Sequence, residues 1–261
     1  MKHRIAILSD IHGNTTALEA VIKDAQELGA TEYWLMGDIL LPGPGRNELF
    51  EFLSSIPITA TVRGNWDDCV LEALDGEYGL EDPQEIQLLR LTQYLMEELD
   101  SKYVDWIRSL PLVVKKEING IHFSLTHHLP EKNYGGELRP ANDTSHFDQQ
   151  LLRYGSKGQQ ILNPGTIGMP YFDWSPLQNH RAQYAIIDVE EDGLTNLQFR
   201  KIAYAYGAEL QSAKDKQLPY IELYQELRRN DNYPGHNKDL LYTLNKQYGY
   251  AKDVKEYFDL K

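Results

Sequence analysis

The stretch Ile5-Ala6-Ile7-Leu8-Ser9-Asp10-Ile11-His12-Gly13-Asn14 decides how this chain is read. A short apolar run, of the kind a buried parallel strand carries, stops at a polar turn. Asn14 or Thr15 can cap the helix that follows, in which Ala17, Leu18, Val21, Ala25 and Leu28 recur at helical spacing until Gly29 ends it. The unit then repeats. Tyr33-Trp34-Leu35-Met36 is a second strand stopping at Gly37-Asp38, Glu48 to Leu53 is a second helix, and Ile58 to Val62 is a third strand stopping at Gly64-Asn65. Asp10 and Asp38 are 28 residues apart, Asp38 and Asn65 are 27 apart, and one βαβ step takes roughly 30. Polar groups at successive C-terminal strand ends of such a sheet meet in one crevice.

Residues 68–110 leave this rhythm. Leu88, Leu91, Leu95 and Leu99 recur at helical spacing in a polar stretch, which predicts a helical insertion, placed as a cap over the strand ends. Leu112-Val113-Val114 and Ile121 to Leu125 flank Asn119-Gly120, a strong hairpin signal, and the second arm runs into Thr126-His127-His128. Gln160-Ile161-Leu162 predicts a short strand before Asn163-Pro164-Gly165. Tyr184 to Asp188 and Leu197 to Ile202 predict a second hairpin across Glu190 to Gly193. From about Gly207 the chain reads as helical and rich in tyrosine. The expected division is one domain over 1–206, carrying the insertion, with a helical extension over 207–261 packed on it.

With 261 residues, 41% of them hydrophobic and 25% charged, the chain can bury a substantial core. No apolar run approaches the roughly 18 residues of a membrane span. The N-terminal residues run straight into the first strand and Cys69 is the only cysteine, so no internal disulfide forms and a cytoplasmic location is expected. A net charge of −13 argues against long nucleic acid as a partner, because such partners select basic surfaces. A small phosphorylated ligand stays compatible, since bound cations reverse the field locally.

Four strand-end pieces carry oxygen and imidazole groups: Asp10-Ile11-His12, Gly37-Asp38, Gly64-Asn65 and Thr126-His127-His128. Side chains two apart leave an extended segment on one side, so Asp10 and His12 suit one ion. Each piece alone has an ordinary reading as a helix cap or turn former. Their order, their spacing and their shared place at strand ends make them a candidate two-metal site, a device for attacking phosphorus.

These pieces, with Ser9 to Asn14, Arg63-Gly64-Asn65 and Asn163-Pro164-Gly165-Thr166-Ile167-Gly168, resemble the calcineurin-like metallophosphoesterases over about Lys2 to Ile202. More narrowly, His127-His128-Leu129-Pro130, Gln150 to Gly155 and the helical tail resemble the bacterial asymmetric diadenosine-tetraphosphate hydrolase and phosphodiesterase subgroup. The resemblance implies an α/β (α+β) fold, a four-layer αββα sandwich of two mixed β-sheets flanked by helices. It also implies two metal ions, the first often iron and the second manganese. Asp10 and His12 would hold the first, Asp38 would bridge both, and Asn65 and His127 would hold the second. Two cations acidify a bridging water and neutralise the phosphoryl oxygens it attacks. The implied activity is hydrolysis of phosphodiesters or nucleotide phosphoanhydrides, with a dinucleoside polyphosphate such as diadenosine tetraphosphate as substrate. Arg46, Arg63 and Arg153 are candidate phosphate clamps, since guanidinium suits phosphate oxygens; a solvated surface arginine is the plain alternative for each.

Two departures from the family pattern stand out. The family commonly has a histidine after the Gly-Asn pair, and here the position is Trp66, followed by Asp67. An indole cannot shuttle a proton, so activated diesters and phosphoanhydrides are favoured over alkyl monoesters. Trp66 can equally be a packing residue, with the acid coming from His128. The family also places a Gly-His-x-His turn before the Asn-Pro-Gly segment, supplying one ligand to each metal. Either Ser145-His146-Phe147-Asp148 takes its place, with His146 serving the second metal, or that strand and turn are deleted. This departure motivates a competing expectation, a metal-depleted scaffold of the same fold; a protein phosphatase is a third.

Overall fold

The computed structural model describes residues 2–135, 161–170, 180–231 and 233–260. Strands β1 (His3–Leu8), β2 (Glu32–Leu35) and β3 (Ile58–Thr61) lie parallel, linked by helices α1 (Thr15–Glu27) and α2 (Asn47–Ser54). Asn14 caps α1, its side-chain oxygen accepting from the Ala17 N–H at 3.0 Å. Two long antiparallel strands, β6 (Arg181–Glu190) and β7 (Gly193–Ala203), complete a five-stranded mixed sheet in the order β3-β2-β1-β6-β7. A hairpin of β4 (Val113–Ile118) and β5 (Ile121–Thr126) turns at Asn119-Gly120, both with positive φ, and forms a second sheet.

Period-two alternation sorts the five-stranded sheet into two faces. Ala6, Leu8, Tyr33, Leu35, Tyr184 and Ile186 face the helices. Ile5, Ile7, Trp34, Met36, Ala185 and Ile187 face the hairpin, meeting Ile118 and Leu125. Burial on both sides explains why these strands are written as continuous apolar runs. Trp34 meets Phe123 edge to face at 5.0 Å between ring centres, which fixes the hairpin on the sheet. The result is a mixed α/β fold of two sheets packed face to face with flanking helices, as expected. Among the described residues the second sheet is purely antiparallel, and Lys115, Glu117, His122 and Ser124 on its outer face are exposed.

The helical segment starts earlier than the expected 68. Helix α3 spans Asn65–Leu74, followed by α4 (Pro83–Met96) and α5 (Ser101–Ser109). The early start follows from Asp67, whose side chain reaches back to the Gly64 N–H at 2.9 Å and closes the first turn. The first turn of α3 carries Asn65 and Trp66 to the strand ends, and α4 packs on α3 and on the last two helices, α8 (Lys238–Tyr248) and α9 (Tyr250–Tyr257). Between β7 and α8 lie α6 (Tyr206–Asp215), which packs on α1, and α7 (Ile221–Asn230), which packs on α6. Ala213, Leu223, Leu227 and Leu241 join the same core as α1. The expected strand at 160–162 is a correction: Ile161 and Leu162 are not in a strand, and Gln160 lies outside the described residues. Pro164 has no N–H with which to continue a ladder there. No described helix is long and apolar enough to cross a membrane.

Since β5 leads directly to His127, truncating Trp34 should loosen both the sandwich and the site. Trp34→Ala is expected to cost about 3–5 kcal/mol of stability and to weaken metal binding; an unchanged denaturation midpoint would contradict this packing.

Candidate metal centre

The loops after β1 and β2 are laced together by their backbones. The Asp10 N–H donates to the Gly37 carbonyl at 3.1 Å, the His12 N–H to Asp38 at 2.9 Å and the Gly13 N–H to Ile39 at 2.9 Å. Asp10, His12 and Asp38 all adopt positive φ, at 55°, 52° and 54°. Such conformations cost a non-glycine residue about 1–3 kcal/mol each and persist only where the surroundings over-determine them. Two glycines permit the approach. A Cβ on Gly37, at φ +88°, would strike the Gly64 backbone, and one on Gly64 would strike the Asp38 carboxylate.

Asp67 holds this junction and was missed as a site residue by sequence reasoning. Fully buried, it accepts from the Asp38 N–H at 2.9 Å, the Ile39 N–H at 3.0 Å and the Gly64 N–H at 2.9 Å. One carboxylate thereby clamps the β2 and β3 ends. The available signal was an acid three residues after a glycine at a helix start. Burial and the charge of Asp38 push the Asp67 carboxyl up to about 6, against the pull of the Gly64 and Ile39 N–H groups.

The structure brings five expected ligands together. Asp38, 2% exposed, accepts from the Trp66 N–H through Oδ1 at 2.8 Å. Its Oδ2 lies 3.6 Å from His12 Nε2 and 3.4 Å from His127 Nε2. His12 Nε2 is 3.5 Å from Asp10 Oδ1, and His127 Nε2 is 3.1 Å from Asn65 Oδ1. Donors at about 2.1 Å from one ion stand roughly 3.0–3.4 Å apart in octahedral or tetrahedral geometry, so these separations are close to what metal ligands require. Asp10, His12 and Asp38 converge within 4.8 Å as one group. Asp38 Oδ2 between two imidazoles is the arrangement of a shared ligand. Each histidine is aimed by a backbone carbonyl at Nδ1: Leu41 at 2.6 Å from His12, and Met36 at 2.7 Å from His127. That leaves Nε2 to face the centre. Asp10, whose side chain is 30% exposed, opens the site to solvent.

His127 faces the Met36 carbonyl at Nδ1, and the Asn65 amide oxygen and the Asp38 carboxylate at Nε2. Burial opposes a charge on its ring, but Asp38 and Asp10 outweigh it and hold His127 at about 10. His12 is raised in the same way by Asp10 and Asp38 against burial. Asp10 is held low, with His12, His127 and Ser9 overcoming burial. The donor set of carboxylate, imidazole and amide oxygen fits first-row divalent ions. Cys69 is no competitor: burial pushes its thiol up to about 11, where it is inert.

The other candidates fare differently. Arg46 is corrected: it is 3% exposed, pairs with Glu98 at 2.6 Å and lies over the Tyr94 ring at 3.7 Å, so it anchors α2 to α4. Arg63 pairs with Asp68 at 2.6 Å and donates to the Arg108 carbonyl at 3.1 Å, which occupies its charge locally. His128 follows His127 and is half-buried, its carbonyl accepting from Thr126 Oγ1 at 2.9 Å. His146, with Ser145 and Asp148, and Arg153 lie outside the described residues. The Asn163-Pro164-Gly165 turn closes on itself, Asn163 Oδ1 accepting from the Gly165 N–H at 2.9 Å. The next residues strap the first loop: the Ile167 N–H donates to Ser9 O at 3.1 Å and the Gly168 N–H to Asp10 O at 2.8 Å.

Asp67→Ala should strand three buried N–H groups at about 1–3 kcal/mol each. Thermal unfolding should show that loss together with reduced metal affinity, and full affinity in a folded variant would contradict the clamp. Metal loading must also displace protons. Between the ordinary histidine value of about 6.5 and the value of about 10 held by His127, affinity should rise with pH. Calorimetry in buffers of different ionisation enthalpy should detect on the order of one proton released per chain; none released would contradict the assignment.

Comparison with known proteins follows the same line. The calcineurin-like phosphoesterase family profile matches residues 3–221. The uncharacterized protein MJ0912 of Methanocaldococcus jannaschii is 28% identical over 200 residues, covering 65% of this chain and 78% of that protein. The crystal structure of hypothetical protein PH1004 from Pyrococcus horikoshii superposes with a TM-score of 0.69 at 20% identity, over 88% of this chain and 98% of that one. A metallophosphoesterase from Sphaerobacter thermophilus superposes with a TM-score of 0.61 at 24% identity, over 84% of this chain and 96% of that one. At these identities the two structures speak for the fold. Matched over most of its length by that profile, and carrying a group of side chains able to hold a metal, the chain belongs to the calcineurin-like phosphoesterase family and is a hydrolase.

Proposed function

We propose that this hydrolase uses two metal ions, manganese and iron being the expected pair, to cleave phosphodiesters or nucleotide phosphoanhydrides. A small nucleotide of the dinucleoside polyphosphate type, diadenosine tetraphosphate among them, is the favoured substrate. The observation that carries the two-ion reading is Asp38 Oδ2, within 3.6 Å of His12 Nε2 and 3.4 Å of His127 Nε2. Bound ions supply an acidified water and positive charge beside the phosphoryl oxygens. The chain's own residues do the rest. Asp10 and His12 would hold one ion, Asn65 and His127 the other, and Asp38 would serve both, while the Trp66 N–H fixes its second oxygen.

Trp66 supports the choice of substrate class. Its ring meets His12 edge-on at 5.5 Å and Tyr233 at 6.0 Å between centres, so an indole stands beside a metal ligand. The indole N–H is a donor only and gives no proton to a leaving group. Leaving groups that depart as stable anions, such as aryl oxides and nucleotide phosphates, need no such proton; alkyl oxides do. His128 is the candidate donor for any protonation that occurs. The net charge of −13 favours a small substrate drawn in by the ions over a long polyanion.

Manganese-loaded protein should hydrolyse bis(p-nitrophenyl) phosphate far faster than an alkyl phosphomonoester. Trp66→His should raise the alkyl monoester rate relative to the diester, toward the roughly 10²-fold that a general acid supplies. An unchanged ratio would sink the leaving-group argument. No manganese-dependent turnover of any phosphate ester or of diadenosine tetraphosphate would sink the proposed activity.

A further inference from the structure

We infer that Arg228, in the C-terminal extension, is a positioning residue for the metal-binding loop that carries Asp10 and His12. The inference rests on the metal-centre reading above. Arg228 sits in α7, near its C-terminal end, and is 2% exposed. Its Nη2 donates to the Gly168 carbonyl and its Nη1 to the Tyr204 hydroxyl at 2.6 Å. Gly168 is in turn pinned from its other side, its N–H donating to the Asp10 carbonyl at 2.8 Å. The same Asp10 carbonyl receives Thr166 Oγ1 at 3.2 Å. One guanidinium therefore holds the strap that holds Asp10.

The second arm of the network reaches the far side of the loop. The Tyr204 hydroxyl accepts from Asn14 Nδ2 at 3.3 Å, two residues beyond His12. The Arg228 guanidinium lies over the Tyr224 ring at 5.0 Å, and the Tyr224 hydroxyl donates to Glu209 Oε1 at 2.8 Å. Glu209 Oε2 accepts from Thr16 Oγ1 at 2.6 Å, at the start of α1. Two buried charged groups of the extension thus grip the chain on both sides of the Asp10–His12 turn.

Burying a guanidinium is costly, and apolar residues of similar size stabilise a core at least as well. What an apolar residue cannot do is donate to two fixed oxygens in fork geometry. The loop needs such outside support, because Asp10 and His12 both hold positive φ. Gly168 has no freedom to compensate: a Cβ there would strike the Ile11 carbonyl, so the strap lies directly on the loop. The extension thereby belongs to the metal centre.

The test is manganese titration of the full-length protein and of Arg228→Lys, Arg228→Ala, Tyr204→Phe and Tyr184→Phe, with thermal unfolding recorded for each. The wild type should bind two ions. Arg228→Lys should weaken one of them by about 10–100-fold, as loss of an outer partner of metal ligands does, and Tyr204→Phe should weaken the same ion less. Tyr184→Phe removes a buried hydroxyl that donates to Asp24 at 2.5 Å outside this network, so it should lower the unfolding temperature and leave both affinities unchanged. Added guanidinium should restore binding to Arg228→Ala. If Arg228→Ala does not fold, Arg228→Lys and Tyr204→Phe decide the question. Wild-type affinities in both of these would overturn the inference alone, whereas a wild type binding no metal would overturn the metal-centre reading itself.

Discussion

Asp67, a carboxylate sealed between two strand-end loops, is the constraint on which the rest of the site depends. Its two oxygens take three backbone N–H groups, from Asp38, Ile39 and Gly64. With that junction closed, Asp38 is held in its positive-φ conformation and Trp66 is delivered to Asp38 Oδ1 at the first turn of α3. Asp38 Oδ2 is then left within reach of both His12, from the loop after β1, and His127, from the end of β5. Without the junction, the ligands of the β1, β2 and β3 ends would have no common frame.

The frame is assembled from both sheets and from both ends of the chain. The five-stranded sheet supplies Asp10, His12 and Asp38 from its strand ends, and the hairpin docked through Trp34 and Phe123 supplies His127. Helix α3 supplies Asn65. The segment 166–168 lies over the first loop, and α7 grips that segment. Packing of this kind is dense and resists compression, which suits a centre that needs its donors fixed before the ions arrive. The acidic character of the chain has a local counterpart here, since Asp10 and Asp38 stand beside His12 and His127 and raise the proton affinity of both. Cations entering such a site replace protons instead of meeting a neutral pocket.

Much of the fold was legible in the sequence because it is written in local periods. The apolar runs at Ile5 to Leu8 and Tyr33 to Met36, the 28- and 27-residue intervals and the Asn119-Gly120 turn each report on their own segment. The strand-end groups Asp10, His12, Asp38, Asn65 and His127, which the structure brings together, were legible for the same reason. What escaped was long-range. Arg46 reads as a phosphate clamp until Tyr94 and Glu98, some fifty residues on, are seen to hold it. Arg228 lies in a helix whose sequence says only that it is amphipathic, and its partner Gly168 is 60 residues away. Asp67 was visible as a cap, yet its second set of partners after β2 was not. Helix α3 starts at Asn65 because of that same side chain, so the error in the boundary and the missed residue have one cause.

The most direct test of the two-ion centre is anomalous diffraction at the manganese edge from crystals soaked in manganese. Two peaks should appear, one beside Asp10 and His12 and one beside Asn65 and His127, with Asp38 between them. A single peak, or manganese bound elsewhere on the chain, would contradict the assignment of Asp38 as the ligand that both ions share.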